Sequence, residues 1–203
     1  GILEDAKGNI WISSTEGIAK LDVPSGQFTS YTAKDGMIQG SFLIGAAHLS
    51  DDGTMNFGGW TGLTRFKPEE IRNNTIAPRV LITDFLISNQ SIAQPTDGKP
   101  ARLTKSIQET KEITLGYLDS IFTVEFAAIH YADSMANRFA YRLEGFEDKW
   151  VETDAKKRFA TYTNLDPGEY TFHVKASNKN GVWNEEGASL KILIAPPYWK
   201  TLW

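Results

Sequence analysis

The 203-residue sequence contains no cysteine. That excludes a disulfide framework, a thiolate zinc site and a Cys nucleophile, and it leaves the cellular compartment open. Long apolar runs are also missing: none reaches the ~18 residues that a membrane-spanning helix needs. Gly1 to Glu16 has neither the basic start nor the apolar core of a signal peptide. Positive charge is scarce, with 21 Lys and Arg against 25 Asp and Glu and a formal net charge of -4. Lys156, Lys157 and Arg158 form the only basic run and read as a solvated loop, so nucleic acid is not expected as a partner. The three histidines, His48, His130 and His173, stand apart, with no His-x-His or His-x-x-x-His pair to start a metal site. No Gly-x-Ser-x-Gly elbow occurs, and Gly58-Gly59-Trp60-Thr61-Gly62 has the wrong spacing for a phosphate cradle. Neither a cofactor nor an enzymatic activity is expected of this chain.

What is present is strand and turn. From Leu165 to Asn178 the chain reads as a turn followed by alternation. Tyr170, Phe172, Val174 and Ala176 fall on one side, and Thr171, His173 and Lys175 on the other. That period of two marks a half-buried strand. Pro167 pre-sets its own φ and Gly168 can supply a positive one, so Asp166 to Glu169 is predicted as a type II turn. A Tyr just after such a turn is how immunoglobulin-like sandwiches build a tyrosine corner.

The first third repeats itself. Gly8 to Leu21 aligns with Gly53 to Phe66, each copy reading Gly turn, short apolar strand, Gly turn, second strand. Hairpins at this period are the mark of β-propeller blades. Two blades cannot close a propeller, so further blades are expected before Gly1, or pairing with another chain. Pro68 and Pro78 flank a junction, and from Arg79 onward about eight strands follow: Val80–Ile87, Glu112–Leu115, Ile121–Ile129, Arg138–Leu143, Lys149–Glu152, Phe159–Thr163, Tyr170–Ala176 and Ser189–Ile194. The fold class predicted is all-β: an immunoglobulin/fibronectin-III-like antiparallel β-sandwich preceded by about two propeller-type blades. The boundaries read from the sequence are 1–75 for the partial propeller, 76–195 for the sandwich and 196–203 for a connector.

Taken together these pieces resemble a known family arrangement, two-component regulator propeller repeats followed by the three-Tyr (Y_Y_Y) domain. The motifs that carry the resemblance are Phe139 to Phe146 with Trp150, Ala160 to Leu165, and Pro167-Gly168-Glu169-Tyr170. Tyr141, Tyr162 and Tyr170 would be the three tyrosines. The resemblance implies a non-catalytic periplasmic sensor segment of an inner-membrane protein, relaying ligand binding to a histidine kinase or diguanylate cyclase output. It also implies a homodimer and a small periplasmic ligand, with oligosaccharide as the class that fits such relatives. The alternative is a secreted fibronectin-like spacer or binding module beside a carbohydrate-active protein.

Among individual side chains, the three tyrosines read first as core residues whose hydroxyls tie strands together. Trp11 is predicted to pack between blades. Trp60, in a turn, is the candidate ligand contact. Asp51-Asp52-Gly53 reads as a blade hairpin turn, and Glu185-Glu186 as a solvated loop. Pro196-Pro197 forces a stiff extended segment, after which Tyr198, Trp199 and Trp203 are predicted to lie near a membrane as an interfacial aromatic belt. The other reading of those rings is that they cap the base of the sandwich.

Overall fold

The computed structural model describes residues 1–72, 74–95, 100–130 and 133–197. The chain divides into two compact units, Gly1–Asn74 and Thr75–Trp203. Tyr198, Trp199 and Trp203, the predicted membrane-proximal rings, lie outside the described residues. No helix among the described residues is long and apolar enough to cross a membrane.

The first unit holds two antiparallel sheets. One has the order β1 (Ile2–Glu4), β2 (Ile10–Ser13), β3 (Ile18–Asp22) and β4 (Gln27–Tyr31). The other has β5 (Phe42–Leu49), β6 (Met55–Gly59) and β7 (Gly62–Phe66). The sequence repeat is a repeat of backbone conformation. Gly8 and Gly53 both have φ 79°, while Gly17 and Gly62 have φ 152° and 147°. The hairpin bonds repeat too, Gly8 N to Asp5 O and Gly53 N to Ser50 O, both at 2.9 Å. Glycine is required at the second of these turns for a steric reason. A Cβ on Gly17 would sit 2.2 Å from the Tyr31 carbonyl oxygen.

Each blade has too small a face to make a core alone, and the two share one. Trp11, Ile18, Tyr31, Phe42, Met55 and Phe57 are its buried residues. Trp11 stacks on Tyr31 of its own sheet at 5.5 Å between ring centroids and meets Phe66 of the other sheet at 5.0 Å. Burying a ring of this size removes a large apolar area from water and gives the unit its largest single anchor.

The second unit is a sandwich. Its five-stranded sheet has the order β10-β16-β15-β12-β13 and its four-stranded sheet the order β14-β11-β8-β9. In chain order the strands are β8 (Arg79–Ile87), β9 (Gln90–Ser91), β10 (Glu112–Leu115), β11 (Ile121–Ile129), β12 (Arg138–Glu144), β13 (Val151–Asp154), β14 (Phe159–Thr163), β15 (Gly168–Ser177) and β16 (Trp183–Ile194). Phe85, Phe122, Val124 and Phe126 of one sheet face Leu115, Phe139, Leu143, Phe172 and Leu190 of the other, all buried.

Three features depart from the sequence reading. The sandwich is not wholly antiparallel, since β10 runs parallel to β16 with Glu112 opposite Lys191 and Leu115 opposite Ile194. Glu185 and Glu186 are not in a loop but within β16, where the register against β15 slips between Val174 and Ala176. Gly187, φ 59°, makes that bulge possible, because a Cβ there would lie 2.2 Å from the Val174 carbonyl oxygen. The positive φ expected at Gly168 falls instead on Asn164, at 53°, and Gly168 is already the first residue of β15.

Two asparagines hold the incoming segment of this unit. Asn178, with 0% exposure, accepts the backbone N–H groups of Asn180 and Val182 on its Oδ1 and donates to the Ile76 carbonyl at 3.0 Å. Asn184 donates to the Pro78 carbonyl at 2.9 Å. These bonds tie residues 76 and 78 to the β15–β16 hairpin.

Candidate functional site

A cleft of about 760 Å³ opens in the first unit. The turn after β1 and the turn after β5, which are equivalent in the repeat, both open onto it. Trp11, Tyr31 and Ile71 supply its apolar wall. The volume falls in the range of small-molecule sites.

The first turn is organised around one carboxylate. Asp5 accepts the backbone N–H groups of Lys7 and Asn9, both at 2.9 Å, the Asn9 side-chain amide, and the Trp11 indole N–H at 2.9 Å. Burial acts to raise the Asp5 pKa. The hydrogen bonds from Trp11, Asn9 and Lys7 outweigh it and hold the carboxyl below the ordinary range. In the second turn Asp52 accepts the Thr54 hydroxyl at 2.8 Å and backbone N–H at 3.1 Å, and pairs with Lys67 at 3.4 Å. Those contacts, the Thr54 bonds first, lower its pKa. Glu4, Asp51 and Glu69 also line the cleft and are exposed. None of these three makes an ion pair with another described residue.

Trp60, the ligand contact proposed from the sequence, is 80% exposed in the turn between β6 and β7. It is not among the residues lining the cleft. Its backbone N–H donates to the Ser41 carbonyl at 3.3 Å, and the Thr61 hydroxyl donates to that of Gln39. Trp11, predicted to pack between blades, is the tryptophan that borders the hollow.

The three tyrosines of the sequence motifs are buried: Tyr141 on β12, Tyr162 on β14 and Tyr170 on β15. Tyr170 donates to the Asp166 carbonyl at 2.9 Å, across the turn that holds Pro167 and Gly168. That bond is the tyrosine corner of sandwich folds. Tyr162 donates not to backbone but to the Glu147 carboxylate, at 3.0 Å. The same Glu147 oxygen accepts the Leu143 backbone N–H at 2.8 Å. Tyr141 packs on Phe126 and Phe172 at 5.8 and 6.0 Å. Glu147 is thus a polar hub under an aromatic cluster, and the sequence reading did not single it out.

Trp150 stands on the outer face of the five-stranded sheet, 40% exposed. The Arg142 guanidinium lies 5.3 Å from its ring centre and the Lys175 ammonium 4.8 Å; Lys175 is also 5.4 Å from the Trp183 ring. Glu185 pairs with Lys175 at 2.7 Å. The ladder ties β12, β15 and β16 across their solvent face, each cation–π contact contributing ~0.5–1 kcal/mol at such exposure.

The environment of the phenols has a measurable consequence. Burial first, and then the negative charge of Glu147, raise the pKa of both Tyr141 and Tyr162; the hydrogen bond to Glu147 raises Tyr162 further. Stability from these groups is complete below the ordinary phenol pKa of ~10 and is lost as pH rises through their higher folded values. An ultraviolet titration of the seven tyrosines is therefore expected to show late ionisation coupled to unfolding, with one late phenol removed by Tyr162→Phe. Simultaneous ionisation of all of them, with circular dichroism still native, would contradict this.

Comparison with known proteins places these features. Residues 130–195 match the Y_Y_Y domain family. Over 202 residues the chain is 36% identical to histidine kinase P4 of Formosa agariphila, a match that takes in 100% of this chain and 14% of that protein. The crystal structure of the extracellular domain of BT3049 from B. thetaiotaomicron, named as a hybrid two component system, superposes with a TM-score of 0.73 at 31% identity, over 97% of this chain and 26% of that one. The extracellular domain of BT4673 from the same organism shares the fold, with a TM-score of 0.53 at 21% identity, over 98% of this chain and 25% of that one. The chain spans about a seventh to a quarter of the length of these relatives; it is similar along its whole length to a part of each, and residues 130–195 match the Y_Y_Y domain family.

Proposed function

We propose that this chain is a non-catalytic relay segment on the periplasmic side of an inner-membrane signalling protein. It passes the effect of ligand binding towards a histidine kinase output. The observation that supports this most is the identity of 31–36% that runs through both units, in the same order, to an extracellular sensor domain and to a histidine kinase. A kinase output is favoured over a diguanylate cyclase by the name of that relative. The relay works by a shift between two arrangements of paired protomers, biased by a ligand that binds one arrangement better.

The test is a graft. The chain replaces its counterpart in histidine kinase P4, and autophosphorylation is measured in membrane vesicles, with deletion of residues 76–195 as the comparison. The expected result is kinase activity that depends on an intact sandwich. Equal activity with and without it would remove the relay reading. Sedimentation across a concentration series tests pairing, which requires a species of twice 22.6 kDa; a monomer at every concentration would count against it for the isolated segment.

A further inference from the structure

The sheets of the sandwich end on β9, β10, β13 and β14. Exposed edges are normally kept from pairing by shortness, charge, proline or a bulge. β9 has only two residues. β10 carries Glu112, ion-paired with Lys191 at 3.6 Å, and β13 carries Glu152 and Asp154. β14 is different. It reads Phe159-Ala160-Thr161-Tyr162-Thr163, with no charge, no proline and no slip in its register against β11.

The ladder shows which backbone groups of β14 stay open. Asn164 N–H donates to the Ser120 carbonyl at 2.7 Å, and Phe126 N–H to the Arg158 carbonyl at 3.0 Å. Both bonds extend the register that sets Tyr162 opposite Phe122 and Ala160 opposite Val124. Backbone groups alternate in direction along a strand, so the even-numbered residues are the ones that bond β11. Phe159, Thr161 and Thr163 turn N–H and C=O the other way, where no further strand is paired. All three residues are exposed.

We propose that β14 is the edge through which two copies of this chain pair, antiparallel, about a twofold axis at Thr161. One register satisfies the whole row. With Thr161 facing its own copy, Phe159 of each copy falls opposite Thr163 of the other, and every open N–H meets an open C=O. Such a contact uses the same surface on both partners. It also closes, because the far edge of this sheet is the two-residue β9. Charge agrees with the antiparallel sense. The end of β14 next to Lys156, Lys157 and Arg158 comes against the end next to Asp166, and all four side chains are exposed. A parallel pair would set the basic ends side by side, and a foreign strand would lack the reciprocal charge match. The edge deepens the relay reading, which requires paired protomers; as an association between copies it stands alone.

The chain has no cysteine, so Thr161→Cys places a single thiol on the axis. Opposed residues of a hydrogen-bonded pair have Cα atoms about 5.5 Å apart, inside the ~4.4–6.8 Å that a disulfide spans. With oxidised glutathione, Thr161→Cys is expected to give a covalent dimer of twice 22.6 kDa. Thr114→Cys, equally exposed but on β10, is expected to stay monomeric. Sedimentation without oxidant, up to about 1 mM chain, reads the reversible association. Thr161→Lys sets like charges on the axis and should weaken it at least ~tenfold. Thr161→Val loses the hydroxyl contact with Thr123 but adds no charge, and should pair like the parent. A parent chain that stays monomeric, or equal cross-linking of Thr114→Cys, would overturn the proposal. Open-ended aggregates in place of a closed dimer would also overturn it, since the edge would then accept any strand. Dimers that survive Thr161→Lys would overturn the edge while leaving pairing, and the relay reading with it, intact.

Discussion

Replacing Trp11 with Ala is expected to abolish cooperative melting of the first unit while the second unit still melts as a sandwich. The ring is 1% exposed, stacks on Tyr31 and spans to Phe66 of the other blade. A cavity of that size in a core costs ~3–5 kcal/mol. The change also removes the indole donor from Asp5, whose carboxylate orders the turn after β1. A unit as small as Gly1–Asn74 has a total stability of the same order, so the loss is decisive. Calorimetry of the variant should show one transition where the parent shows two. Two unchanged transitions would refute the account of the shared core. The companion variant Trp60→Ala, at a side chain 80% exposed, should move neither transition by more than ~0.5 kcal/mol.

The second large effect is expected at Glu147. Its carboxylate accepts from the Leu143 backbone and from the Tyr162 hydroxyl, and Leu143 itself is 0% exposed. Glu147→Ala strands both donors beneath the aromatic cluster and should cost about 2–4 kcal/mol, at ~1–3 kcal/mol for each buried group left unpaired. Glu147→Gln keeps an acceptor and should cost about 1 kcal/mol. Urea unfolding of Glu147→Ala, Tyr162→Phe and the double variant separates the pair from its parts. The double variant should lose less than the two single losses added, because Tyr162→Phe removes one of the stranded donors beforehand. Strict additivity would mean that the Tyr162–Glu147 bond contributes nothing.

Much of the architecture was legible because its signals are local. Gly8 and Gly53 mark equivalent turns because both need the same positive φ, and no tertiary knowledge is required to see them recur. The alternation from Tyr170 to Ala176 survives into β15 unchanged, since a sheet with one buried face imposes that period directly. Glu147 was not legible. In the run Gly145-Phe146-Glu147-Asp148 it looks like any loop acid, and only folding brings it under the Tyr162 hydroxyl. The parallel pairing of β10 with β16 was hidden for a related reason, because periodicity reports which face is buried and not which way the neighbouring strand runs. Glu185 and Glu186 read as loop because a bulge breaks the alternation, and the cause, a close approach of Gly187 to Val174, lies on another strand. The cleft draws its walls from stretches scattered between Glu4 and Ile71, so no single motif could announce it.

Strand β16 joins two ends of the sandwich in a single span. Near its start Asn184 grips the carbonyl of Pro78, and twelve residues carry the strand to Ile194, a length of about 40 Å. Over its last four residues, Lys191 to Ile194, it is flanked on both sides, by β15 running against it and β10 running with it. The ladder bonds lie across the strand, so tension along it loads them together in shear instead of peeling them one at a time. β16 is therefore one covalent tie from the Asn184–Pro78 bond to Ile194, and beyond the bulge at Gly187 a pull along it meets the ladder in shear.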